Sequence, residues 1–187
     1  MRSHNEILCD VFAAELLLPY KLFKPLVEKV DISLAAVDDL AERFLASTMA
    51  AGSRFATLVG ARCAFVLSEQ GKVRYASRST AQRQANAWIS PRIPLPQGSV
   101  SERVRAGGAC DGAEETEADI WFNDWNRGGV LLEDARHLGQ RDQTIALLWF
   151  EDGEVPVAKR EPHQYHEDAG LTELDGTLPW PGKKRRK

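Results

Sequence analysis

The chain lacks any uncharged apolar run approaching the roughly 18 residues that a membrane span requires. Its N-terminal stretch is also unlike the apolar region of a secretory leader, because Glu6, Asp10 and Glu15 interrupt it. A cytoplasmic protein with no membrane partner is therefore expected. Cysteine is scarce: Cys9, Cys63 and Cys110 are odd in number, far apart and without CxxC spacing, which argues against both a disulfide framework and a thiolate zinc site. All three should be reduced. Nor is there a surplus of positive charge, since 24 Lys+Arg stand against 27 Asp+Glu for a net charge of −3; a uniformly basic nucleic-acid coat is excluded. That average conceals an asymmetry. Residues 183–187 are all basic, so the body they hang from is more acidic than the whole.

What is present suffices for a sizeable core: of 187 residues 43% are hydrophobic, enough for one medium domain or two small ones. Strong helix formers run from Asn5 to Leu18, apolar nearly all round, and Pro19 ends them; such a helix is normally buried on most of its surface. A loop or short turn through PYKLFKP leads to a second helix that Asp31 or Ser33 would cap, with Leu34, Val37, Leu40, Ala41, Phe44 and Leu45 at helical spacing. A shorter helical stretch follows Ser47 and closes near Gly60. From Arg62 onward the pattern turns β-rich. CAFVL and VRYAS flank SEQGK, which suits a hairpin, and SVSERVRAGG holds a short helix with a glycine stop. WISPRIPLP is extended, and DIWFNDW, VLLEDARHL and TIALLWF are further strand candidates; in the first, Trp121 and Trp125 would share one face with Phe122 on the other. Beyond Glu151, four prolines, many charges and few aliphatic residues predict a disordered tail. The division is thus 1–60 helical, 61–151 an α+β sheet domain and 152–187 a basic-ended tail.

Glu6 and Asp10 are four apart, about 40° around a helix, and share one face; Glu15 lies opposite Glu6. Such a pair offsets the helix macrodipole at its N-terminus. In one class of zinc peptidase, a helix bearing ExxxD supplies the third metal ligand through its Glu while the Asp holds a ligating histidine by a hydrogen bond. The longer string favours the second reading. Glu6-x-x-Cys9-Asp10-x-Phe12-Ala13-Ala14-Glu15-Leu16-Leu17-x-Pro19 closely resembles the E-x-x-A-[N/D]-x-F-A-A-E-L-L-x-P segment of the ImmA/IrrE metallopeptidase family. LAERFLASTMAAGSRFATL is similar to that family's downstream helices, with Ser47 and Arg54 in the expected places.

About sixty residues carry the resemblance. It implies an α+β protein in which the helical remnant of a zincin-like metallopeptidase domain precedes a mixed sheet domain, GAF-like in some members. It also implies zinc as cofactor, Glu6 as metal ligand, Asp10 as the residue beside it, and a repressor or other regulatory protein as partner. Two departures stand out. Cys9 replaces the common alanine, and the HExxH helix, whose glutamate activates the zinc-bound water, is missing from the sequence. Five residues precede Glu6, so the expectation is a truncated member or a start of translation further upstream. No replacement ligand set emerges from His4, His137, His163 and His166. The chain alone is therefore expected to bind no zinc, to be inactive as a peptidase, and to self-associate through the uncovered face of its first helix.

A different class of function is a non-enzymatic regulatory module for a protein, small ligand or DNA. The rhythm of LAERFLASTMAAGSRFATL also suits a helix-turn-helix, but between Leu34 and Gly60 only Arg43 and Arg54 oppose Asp38, Asp39 and Glu42, which makes phosphate neutralisation poor. Trp88, Trp121, Trp125 and Trp149 fill a core more readily than they line a ligand pocket.

Overall fold

The computed structural model describes residues 4–151 except Asp124, Asn126 and Arg127; for residues 4–8, 10 and 140 it describes the backbone alone. The architecture is α+β. Four helices come first: α1 (His4–Leu17), α2 (Tyr20–Val27), α3 (Leu34–Arg43) and α4 (Thr48–Leu58). The sheet follows as β1 (Cys63–Glu69), β2 (Lys72–Arg78), β3 (Glu114–Glu117), β4 (Val130–Leu138) and β5 (Gln143–Trp149). Short helices α5 (Thr80–Gln84), α6 (Val100–Arg105) and α7 (Ala118–Trp121) interrupt it. The strand order is β2-β1-β5-β4-β3, and every pairing is antiparallel.

The period of two along the central strands sorts their side chains into two layers. On one face Cys63, Phe65 and Leu67 of β1 and Ile145, Leu147 and Trp149 of β5 pack beneath Phe23, Val27, Val37, Leu40, Phe55 and Ala56 of α2–α4. On the other face Ala64, Val66, Ala146 and Leu148 meet Val100 and Val104 of α6 and the aromatic group Trp121, Phe122, Trp125 and Phe150. The helical segment and the sheet share the first of these cores, so the change of pattern near residue 60 marks a change of secondary structure within one packed layer. Gly52 allows that layer to close: a Cβ there would lie 2.3 Å from Cε2 of Phe65.

Local chemistry explains most helix starts. Ser33, Ser47, Ser79 and Ser99 each cap a helix through the side-chain oxygen, which accepts from Ala36, Ala50, Gln82 and Glu102 N–H respectively. The β1–β2 link is a two-residue turn in which Gln70 (φ 52°) and Gly71 (φ 71°) are both left-handed, the geometry that matches strand twist. The extended, proline-rich segment contributes isolated bridges, Lys72 to Pro94 and Trp88 to Asn123.

Several expectations need correction. PYKLFKP is not a loop; it forms most of α2 despite Pro25 within it. Burial of Phe23 and Val27, one turn apart, and an edge-to-face contact of Phe23 with Phe44 at 5.2 Å outweigh the propensity of that proline. DIWFNDW is not a strand either. Its first part is α7, and Trp121, Phe122 and Trp125 all enter the same core rather than opposite faces. The tail, 152–187, lies outside the described residues.

Candidate functional site

The two segments that carry the family resemblance, α1 and α4, meet through Glu15 and Arg54. One carboxylate oxygen of Glu15 accepts from Nη2 of Arg54 in a close ion pair. The other accepts from Tyr20 N–H at 3.1 Å, which satisfies the first amide of α2. Arg54 Nε donates to the carbonyl of Leu18 at 3.2 Å, just past the end of α1. The guanidinium thus fixes the α1–α2 corner on α4 by two different groups, and at 15% exposure it is well shielded from water. Ser47, the other expected residue, is the N-cap of α4.

Beside this junction lies a cleft of about 310 Å³, lined by Ala13, Ala14, Leu17 and Leu18 on one wall and by Ala50, Ser53, Arg54, Thr57 and Ser77 on the other. Small side chains floor it. Outside it, α1 turns apolar residues to solvent: Phe12 and Leu16 are each 70% exposed and Leu17 51%, with Leu22 of α2 nearby at 62%. The expectation that this helix is buried on most of its surface is therefore corrected. Leu18, at its C-terminal end, is buried, while the exposed row faces no other described element.

Glu6 and Asp10 both lie within α1, but their side chains fall outside the described residues. Among the described residues, no group of three or more His, Cys, Asp and Glu is placed to hold a metal ion. His137, the only histidine with a described side chain, places Nδ1 3.1 Å from the Thr144 hydroxyl. His163 and His166 lie in the tail. All three cysteines are free thiols: Cys9 is exposed, and Cys63 is buried, with its ionisation pushed up by that burial. Trp121, Trp125 and Trp149 fill the cores, while half-buried Trp88 stacks under Arg78 at 4.4 Å.

Sequence reasoning passed over two neighbouring acids on β4, Glu133 and Asp134, which together accept six hydrogen bonds. Glu133 is fully buried on the α6 side, where Oε1 accepts from Ser101 N–H at 2.7 Å and its hydroxyl at 2.6 Å. Oε2 accepts from Val100 N–H at 3.2 Å, Thr116 Oγ1 at 3.1 Å and Trp121 Nε1 at 2.9 Å. Asp134 points to the opposite layer and accepts from Leu34 N–H, the first amide of α3, at 2.6 Å. On that same face Arg136 makes a two-pronged contact with Asp38 of α3, at 2.7 and 3.0 Å, and the Thr48 hydroxyl joins it at 2.8 Å. The signal was two successive acids directly after the apolar run Val130–Leu132 in β4. The two carboxylates thus tie α3, α6, α7 and β3 to β4.

No protein-family model matches this chain, and no curated protein does. Among the described residues, no helix is long and apolar enough to cross a membrane.

Proposed function

We propose that the chain is an ImmA/IrrE-type protein linked to regulatory proteolysis of a repressor, and that these 187 residues alone do not cleave peptides. The observation that supports this reading is the Glu15–Arg54 pair. Both residues belong to the strings that carry the resemblance, and they join the two helices concerned at the cleft. Zinc would supply an activated water in that family, with Glu6 as its ligand and Asp10 alongside. One carboxylate is not a zinc site, since catalytic zinc takes three protein ligands, and no catalytic step is assigned to this chain. The finer part of the fold reading, zincin-like helices followed by a GAF-like sheet, belongs to the same proposal.

Expression together with the in-frame codons that precede Met1 tests this reading. An HExxH encoded there, with a zinc per chain that is lost on Glu6→Gln and with metal-dependent cleavage, would support it. Upstream codons without HExxH and a longer product without zinc would remove the peptidase reading. For the 187-residue chain, elemental analysis after dialysis should find no stoichiometric zinc, whereas tightly held zinc lost on Glu6→Ala would reveal further ligands. A second reading, a non-enzymatic module that binds a regulatory protein, is favoured by the exposed row Phe12, Leu16, Leu17 and Leu22 beside the cleft. It predicts that function survives Glu6→Gln and fails with Leu16→Asp.

A further inference from the structure

We propose that residues 171–187 of this chain dock along the α1–α4 cleft, as a strap over the apolar row of α1. The inference is independent of zinc and of the peptidase reading.

Three observations carry it. The first is where the described chain ends. Phe150 N–H donates to the Arg62 carbonyl at 3.1 Å, and Trp149 pairs with Cys63. The chain therefore leaves β5 beside the segment that follows the last turn of α4, the helix whose Thr57 lines the cleft. The 19 residues 152–170 can bridge at most roughly 60 Å, well beyond the roughly 16 Å length of α4. The tether is long enough to reach the whole cleft, and it keeps the strap on the same molecule as its site.

The second observation is apolar matching. Leu171, Leu174 and Leu178 recur at helical spacing, followed by Trp180. These apolar side chains can be laid against Phe12, Leu16 and Leu17 over the small side chains of Ala13, Ala14 and Ala50. The third is charge. Residues 4–17 include Glu6, Asp10 and Glu15 but neither Lys nor Arg, and the five residues that end the strap are all basic. Acidic Glu173 and Asp175 can meet Lys21, exposed on α2. A second copy of α1 offers the opposite prospect, acid against acid, which disfavours it as the occupant.

Disulfide trapping in the full-length chain tests the proposal. Leu174→Cys with Cys110→Ser leaves exposed Cys9 on α1 as the surface partner. In the reference chain, Leu174→Cys with Cys9→Ser and Cys110→Ser, exposed Glu115→Cys supplies the partner instead. Glu115 lies on β3, at the sheet edge opposite β2, whose Ser77 lines the cleft. Mild oxidation at low protein concentration should close the 9–174 loop within one molecule about tenfold faster than the 115–174 loop. Ala13→Trp, at an exposed position in the cleft wall, should bring the two rates together. Equal rates in the unaltered cleft would overturn the strap. Covalent dimers in place of the closed monomer would overturn it as well, by showing that a second copy occupies the cleft.

Discussion

Glu133→Gln is a small change with a large expected cost. The side chain keeps its length, but one acceptor oxygen becomes an NH₂ group among five donors. The hydroxyls of Ser101 and Thr116 can turn to accept from it; the N–H groups cannot. If the amide nitrogen takes the Oε1 position, Ser101 N–H loses its acceptor; if it takes the Oε2 position, Val100 N–H and Trp121 Nε1–H lose theirs. Each buried donor left unmet costs about 1–3 kcal/mol, and the remaining hydrogen bonds lose the strength that a charged acceptor lends them. Together these give a loss of about 2–5 kcal/mol, a large share of the stability of a typical domain. With a urea m-value of about 2 kcal/mol/M, the unfolding midpoint should fall by about 1–2.5 M at unchanged slope. Far-ultraviolet circular dichroism against urea measures it. A midpoint within about 0.3 M of the parent would refute the reasoning, because it would mean that this carboxylate is not the common acceptor for α6, β3 and α7.

Two further outcomes follow from the same packing. The Arg136 guanidinium, aided by the Thr48 hydroxyl and opposed by burial, holds the Asp38 carboxyl below the usual carboxylate range. A group depressed on folding stabilises above its unfolded pKa, about 4, and ceases to do so as pH falls through its folded value; Arg136→Met should therefore lower the urea midpoint at pH 7, and this deficit should shrink steadily below about pH 4. A deficit independent of pH would contradict the pairing. Gly52→Ala would set a methyl into the Phe65 ring, so it should cost about 1–3 kcal/mol in thermal unfolding even though alanine is the better helix former. A stabilised variant would show that the α4–β1 contact is looser than described.

Much of the fold was legible because its signals are local. Ser33 and Ser47 stand one residue before their helices, SEQGK separates two β-rich runs, and TIALLWF is a continuous apolar run of strand length. The elements that escaped depend on partners distant in sequence. β3 reads EETE and exists because it pairs with residues 130–133 of β4; of its own side chains only Thr116 is buried. α2 contains a proline that local rules penalise, and the core beneath Phe23 decides otherwise. For the candidate site, the string around Glu15 was readable, but it was read for metal ligation through Glu6 and Asp10. Its role in gripping Arg54, thirty-nine positions away, is a tertiary fact that spacing does not carry.

Glu133 and Asp134 are neighbours on one strand, yet each serves a helix in a different layer. A slip of β4 by a single residue would exchange their faces, leaving the Leu34, Val100 and Ser101 amides without their carboxylate acceptors while turning both carboxylates toward the wrong neighbours. The doublet is therefore a register lock, and it works only after β4 has found β5. Neither layer is complete until the strand between them is in place. Loss of either helix should loosen the strand on which the other depends, so amide exchange in α3 and in α6 should report one shared opening rather than two separate ones.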